Sequence, residues 1–517
     1  MSEHSTAYDE VRYPPIAFPQ THPAALETLA FLHGMDPARA DRCRVLELGC
    51  GSGANLIPMA HQYPRSTFLG LDLSALAIAE GTRMIDALSM ANVSLRRCDI
   101  MEVGPDLGTF DYVIAHGVYS WVPPSVQDKM MAVFSQNLAQ QGVAYVSYNC
   151  LPYGHLRRVA RDLMRFHTRD IHDPKQRIDQ ARKILQFAAE ATDDSSLYGV
   201  LLRHLAHRTS QVPDAVLYHD DLDEGFTAFL FSDVMACAAR NRLQFLSEAA
   251  SSPELHGHLE PMNEFLDRFP NDEIVAREQY MDFLLGRGFR ETLLCHADLR
   301  LERKIDPSCV MELFIASNTE PESGPIDPAA SGTVTFRTGS GASISVDHEL
   351  CKAAFLHLGE IWPQAEHFDQ LLRSAAARLE RDPDAAASLA ERKGLAQVLC
   401  RAFLARTVVL RRTAAPMTLA IHDRPEASAL ARWQAAHGLP VINLLHWTIS
   451  LDDEIVRTFL QLLDGTRTID QLCEGVRHAL SYQGQLAEGR SPAETLVSQS
   501  TVEDNLERVA RLGVLVA

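Results

Sequence analysis

Between residues 44 and 149 short apolar runs alternate with stretches of helical periodicity. The runs 44–48, 67–71, 93–97, 110–115 and 142–148 are strand-length and rich in Val, Leu, Ile, Phe and Tyr. The first leads into a Gly-rich turn and an apolar helical stretch to His61. The second ends in Asp72, and Ser74 predicts an N-cap for a helix through Met90. Strands alternating with helices predict βαβ units and a doubly wound, Rossmann-like α/β fold. Right-handed crossovers then place ligands at the carboxyl ends of the strands.

Past Asn149 the rhythm stops. Residues 152–225 read as helical, with basic spots at Arg157, Arg158, Arg161 and Arg165. A helix at 231–240 and strands at 243–248 and 290–296 follow, and these two strands are expected to complete a seven-stranded sheet. Segments 152–225 and 253–285 then become helical insertions near the mouth of the site. Residues 318–340, rich in Pro, Gly, Ser and Thr, read as a linker or loop. Beyond it lies an internal repeat. Ile344-Ser345-Val346-Asp347-His348-Glu349-Leu350 matches Ile449-Ser450-Leu451-Asp452-Asp453-Glu454-Ile455, and Asp369-Gln370-Leu371 matches Asp470-Gln471-Leu472. Each copy predicts a strand, an acidic helix N-cap, an amphipathic helix, a turn and a second helix. The C-terminal region is thus expected to be α+β, with two winged-helix-like modules. The domains expected are 1–151, 152–305, 306–410 and 411–517.

The chain has 517 residues and a formal net charge of −19. Such a charge repels phosphate backbones, so a nucleic-acid substrate is not expected; it attracts basic partners. The repeated modules are themselves acidic, which favours protein contact over DNA. Ten cysteines are scattered without a C-x-x-C pair or zinc spacing, so no metal is expected and the thiols read as free. No apolar stretch is long enough to span a membrane, and Met1-Ser2-Glu3-His4 lacks the features of a secretory signal. A cytoplasmic location is expected.

The chemical signal is Val45-Leu46-Glu47-Leu48-Gly49-Cys50-Gly51-Ser52-Gly53-Ala54. Glycines let the backbone turn and let a ligand approach without a Cβ clash. Read as Gly49-x-Gly51-x-x-Ala54, this also satisfies a dinucleotide fingerprint. Three acids weigh against that. Glu47, inside the strand, would repel a pyrophosphate but suits the cationic amino-acid end of S-adenosylmethionine. Asp72 can accept both ribose hydroxyls of either cofactor. Asp99, after the third strand, can bond an adenine amine, with Ile100 packing on the ring. Leu73 joins them on the cofactor side, and Asn55 either touches the ligand or caps the helix locally.

Other motifs flank these. Tyr8-Asp9-Glu10-Val11, Tyr13-Pro14 and Thr21-His22-Pro23 precede the first strand. His116-Gly117-Val118-Tyr119-Ser120-Trp121-Val122-Pro123 follows the fourth, and Tyr145-Val146-Ser147-Tyr148-Asn149 closes the fifth. Further matches lie at 218–222, 243–248, 279–283 and 289–294. In these motifs the chain resembles class I S-adenosylmethionine-dependent methyltransferases that carry a methyltransferase regulatory domain. The best-known members of that family are protein-lysine methyltransferases acting on rickettsial outer-membrane proteins. The resemblance covers most of residues 8–300 and, more weakly, the C-terminal part. It implies methyl transfer to a protein side chain, with lysine favoured.

Methyl transfer needs alignment, exclusion of water and a free lone pair on the acceptor. Tyr119, Trp121, Tyr148 and Tyr153 lie just past the fourth and fifth strands and are expected to wall the acceptor pocket with Asn149, unless they are plain aromatic core. His116 is a cofactor contact, a general base or a structural histidine. Tyr8 and Tyr13 form either a lid over the cofactor or an ordered surface strand. Asn149 is followed by Cys150, not Pro, so the signature of amino-DNA methyltransferases is absent. Two alternatives stay open: a small-molecule O- or N-methyltransferase, and a non-catalytic scaffold. The partner is accordingly a protein, a peptide or a small molecule, and a homodimer is also left open.

Overall fold

The computed structural model describes residues 11, 13–250, 260–382, 388–482 and 499–516. Its centre is a sheet of β1 (Arg44–Leu48), β2 (Thr67–Asp72), β3 (Val93–Arg97), β4 (Phe110–Ala115), β5 (Leu138–Asn149), β6 (Leu243–Glu248) and β7 (Phe289–His296). The strand order is β3-β2-β1-β4-β5-β7-β6. β1 to β5 pair in parallel, whereas β7 runs antiparallel between β5 and β6. Both late strands thus complete the sheet. β5 begins at Leu138 rather than 142. Gln140 and Gln141 hide its start, yet Leu138 pairs with Phe110 across a register shift.

Alternation along the strands explains their apolar character. Leu46, Leu48, Val113 and Val146 enter one core cluster, and Val45, Tyr112, Ile114 and Tyr145 enter another on the opposite face. A sheet covered on both faces leaves few positions for polar residues. Ser74 accepts the Ala77 N–H at 3.1 Å and starts the helix Ala75–Ala87. That helix stops short of Met90, where Ser89 adopts a left-handed φ of 52°. The chain runs outward from β1 to β2 and β3, then returns to β4 on the other side of β1. This reversal opens a crevice at the carboxyl ends of β1 and β4.

Three helices, Tyr153–Thr168, Pro174–Ala191 and Leu197–Gln211, follow β5 and pack on their own core of Ala160, Met164, Leu185 and Leu205. Asp173 and Ser196 cap the second and third. The second predicted insertion contains the helices Glu260–Leu266 and Ile274–Leu285, and its residues 253–259 lie outside the described ones.

The stretch read as a linker or loop contains two strands, Glu320–Pro321 and Val334–Arg337, which pair with each other; the second also pairs with Ser343–Val346. The anchor is Phe336, fully buried and stacked on Phe355 with ring centres 5.2 Å apart. Both repeat copies adopt the expected strand and helix pair: Ser343–Val346, Glu349–Ile361 and Phe368–Arg378, then Thr448–Ile449, Glu454–Leu462 and Ile469–Tyr482. The equivalent caps are His348 and Asp453, so in the first copy an imidazole nitrogen takes the role predicted for a carboxylate. The C-terminal half closes against the N-terminal helix Pro23–Leu32. There the buried Glu27 accepts the Ala40 N–H at 3.0 Å and pairs with Arg39 and Arg412.

Candidate functional site

A cleft of about 2140 Å³ opens at the carboxyl ends of the strands. Its floor is the turn after β1. Gly49 and Gly51 have φ of +72° and +54°, conformations costly for other residues. A Cβ on Gly49 would lie 2.5 Å from Val118 Cγ2, whereas one on Gly51 would meet nothing within 4 Å, so Gly51 leaves backbone bare to the cleft. Gly53 also has a positive φ, but a Cβ there would press on Leu95 and Ile57; its role is packing rather than lining. The Gly49 and Cys50 N–H groups donate to Leu71 O at 2.8 and 3.1 Å, fastening the turn to β2.

The three acids converge on this floor. Asp72 accepts the Gly51 N–H through Oδ2 and the Ser74 N–H through Oδ1, both at 2.8 Å. A carboxylate offers about four acceptor positions, so two remain for hydroxyls. Asp99 accepts the Met101 N–H at 2.9 Å and starts the turn containing Ile100. Leu73, half exposed, and Ile100 both line the cleft. Glu47 is buried. Its Oε1 accepts from Asn55 Nδ2 at 2.8 Å, and its Oε2 has no hydrogen-bond partner. Burial pushes the Glu47 carboxyl up to about 8, against the hydrogen bond from Asn55 and with help from Asp72. An orphaned buried carboxylate oxygen beside an open glycine backbone fits the ammonium end of S-adenosylmethionine. Asn55 makes no helix cap. Its amide is drawn instead to Glu47 and to the Phe18 N–H, 3.0 Å away.

His116, past β4, also lines the cleft. Its ring stacks on Phe18 with centres 3.7 Å apart, and Nδ1 lies 2.9 Å from Tyr145 Oη. Tyr145 donates its single proton to Glu291 Oε1 at 2.8 Å, and Gln20 Nε2 donates to the same oxygen at 2.6 Å. His116 Nδ1 must therefore carry the hydrogen, which leaves Nε2 with its lone pair. Burial lowers His116 to about 4, so the ring is neutral. Burial also raises Glu291 above the usual carboxylate range, opposed by Gln20 and Tyr145.

Of the expected acceptor residues, Trp121, Asn149 and Tyr153 line the cleft. Trp121 packs beside Phe226, and the Arg161 guanidinium lies over both rings. Tyr153 Oη is 2.9 Å from His204 Nε2. Asn149 Oδ1 accepts from Arg157, which pairs with Asp221 at 2.7 Å. Tyr119 and Tyr148 do not reach the cleft. Both are buried against Phe229 in the core, because Tyr148 shares the strand face of Val146 and Ala144. Tyr13 lines the mouth and hydrogen-bonds Asp220. Tyr8 lies outside the described residues. Sequence reasoning missed Phe18, Gln20 and Glu291. The charged pair Arg290-Glu291 at the start of β7 was the available signal for Glu291. Among the described residues no group of His, Cys, Asp and Glu could hold a metal, and no helix is long and apolar enough to cross a membrane.

Three family models match the chain. These are a methyltransferase domain over 45–142, a predicted methyltransferase regulatory domain over 213–296, and a "PKMT, C-terminal winged helix domain" over 423–511. An uncharacterized protein of Rickettsia prowazekii is 38% identical over 316 residues, which is 61% of this chain and 57% of that protein. The chain thus spans just over half of that relative's length. A second protein from the same organism is 34% identical over 241 residues, 46% of this chain and 96% of its own. The solved structure of PKMT2 from Rickettsia typhi in complex with AdoHcy superposes with a TM-score of 0.86 at 28% identity. The match covers 98% of this chain and all of that one.

Proposed function

Because the chain belongs to the class I S-adenosylmethionine-dependent methyltransferases that carry a methyltransferase regulatory domain, we propose that it methylates a side-chain nitrogen of a polypeptide, with lysine as the acceptor. The observation that carries this reading is the cleft itself. At about 2140 Å³ it exceeds the ~300–1,000 Å³ typical of small-ligand sites, leaving room for a peptide chain beyond the cofactor. Its lining includes Trp121, Phe289, Asp220 and Glu291, aromatic faces and carboxylates suited to a cationic side chain. The similarity to PKMT2 points the same way.

S-Adenosylmethionine, when bound, supplies an electrophilic methyl group on a sulfonium. In this reading Asp72 holds the ribose hydroxyls, Glu47 the ammonium end, and Leu73 and Ile100 enclose the adenine beside Asp99. The aromatic wall at Trp121 aligns the acceptor and keeps water out. A lysine ammonium must lose a proton before its nitrogen can attack the methyl carbon. The neutral His116, with Nε2 bare, can take that proton, and the hydrogen-bonded chain through Tyr145 to Glu291 steadies the charge it acquires.

The test is incubation of the protein with methyl-labelled cofactor and cell lysate, followed by separation and acid hydrolysis of the polypeptides. Label is expected on polypeptide and, after hydrolysis, in methylated lysine. Label confined to the small-molecule fraction refutes the reading.

A further inference from the structure

One residue of the winged-helix region reaches Asn55, the partner of Glu47. His446 Nε2 lies 2.9 Å from Asn55 Oδ1, although 391 positions separate them in the chain. The orientation of the Asn55 amide is fixed. Nδ2 donates to Glu47, so Oδ1 faces the Phe18 N–H and His446 and can only accept. His446 must therefore carry its hydrogen on Nε2. Its Nδ1 has no hydrogen-bond partner, in keeping with a ring that burial holds neutral.

The loop that presents this ring is braced from within. His446 has a φ of +64°, an uncommon conformation in which histidine is nonetheless enriched. Asn443 braces the turn. Asn443 Oδ1 accepts the N–H groups of Leu445 and Trp447 at 3.0 and 2.8 Å, and its Nδ2 donates to Leu512 O at 2.8 Å. Two residues beyond His446, Thr448 Oγ1 accepts the Ala17 N–H at 2.9 Å, gripping the segment whose Phe18 covers His116.

We propose that His446 is a cofactor-positioning residue: through Asn55 it orients the Glu47 carboxylate toward the ammonium end of S-adenosylmethionine, so that the C-terminal module completes the cofactor site. This rests on the assignment of Glu47 to that end of the cofactor and is independent of what the acceptor is. By linkage, a bound cofactor must in turn steady the loop that holds His446.

The test uses the full-length protein and S-adenosylhomocysteine. Titration calorimetry of His446→Ala is expected to show affinity about five- to thirtyfold weaker. His446→Gln, whose amide can still donate to Asn55, is expected to stay within about threefold of the parent. In the parent, ligand is also expected to slow hydrogen exchange at the amides of residues 444–448. A folded Ala variant with affinity within twofold of the parent overturns the proposal, even if its melting temperature falls. Unchanged exchange at 444–448 in the liganded parent overturns it without recourse to any variant. Failure of the parent to bind the ligand at all would instead remove the cofactor assignment beneath it.

Discussion

The carboxyl of Glu47 sits at about 8 in the ligand-free protein, against an ordinary value of 4.5. The sign follows from linkage. An acid raised on folding withholds stability as pH climbs from its unfolded value through its folded one, at ~1.4 kcal/mol per unit. The ligand-free protein is therefore expected to lose about 2 kcal/mol between pH 6 and pH 8 through this group alone. Contact with a ligand ammonium contributes ~1.5–3 kcal/mol, which lowers the bound carboxyl by ~1–2 units. Affinity for S-adenosylhomocysteine should then rise about five- to twenty-five-fold from pH 6 to pH 8, with proton release on binding near pH 7. Glu47→Gln keeps the shape and the hydrogen bond to Asn55 but cannot ionise. Its affinity should match the parent's near pH 6 and fall behind as pH rises, and its thermal stability should lose the parent's decline over the same range. Titration calorimetry in two buffers of different ionisation heat reads the proton directly. A parent affinity that is flat from pH 6 to 8, paralleled by the Gln variant, refutes the reasoning.

Asp72→Ala removes the acceptor for ribose and the anchor of Gly51 and should weaken S-adenosylhomocysteine by at least about tenfold; calorimetry showing unchanged affinity would exclude that role. Trp121→Ala should lower turnover more than cofactor affinity, and steady-state kinetics beside a binding titration would expose an equal loss of both. Glu291→Gln leaves Tyr145 without an anionic partner, so turnover should fall by about tenfold or more and the acid limb of the rate–pH profile should move to lower pH; an unaltered profile contradicts the proton path. Arg290→Met strips a fully buried guanidinium from Asp282, Glu278 and Glu248 and should cost ~3–5 kcal/mol in denaturant unfolding.

The floor of the cleft was legible because its signals are local. The apolar run of β1, its glycines, and the acids at 47, 72 and 99 each follow from strand period and turn chemistry within a few residues. Local signals also located both edge strands and the repeated helix pairs. They could not assign a face to each aromatic. Tyr148 and Trp121 look alike in sequence, yet pleating buries the first among Val146 and Phe229 while the second meets the cleft. Nor could they pair residues distant in the chain. Gln20 meets Glu291 across 271 positions; Gln20 lay in no noted motif, and Glu291 in one noted for resemblance rather than chemistry. The Pro-, Gly- and Ser-rich stretch misled because composition masked a two-residue alternation, Val334 and Phe336, that packing turns into a strand.

On β7, neighbouring residues face opposite ways. Arg290 is clamped to Asp282 and Glu278 of the helix Ile274–Leu285, while Glu291 turns to Tyr145 and the cleft. The segment matching a regulatory domain is thus bolted to the catalytic sheet at the residue next to the far end of the His116 hydrogen-bond chain. A tilt of this helix would pull on β7 through Arg290. One peptide unit would then act as the crank, carrying an outer displacement to the wall of the cleft at Glu291.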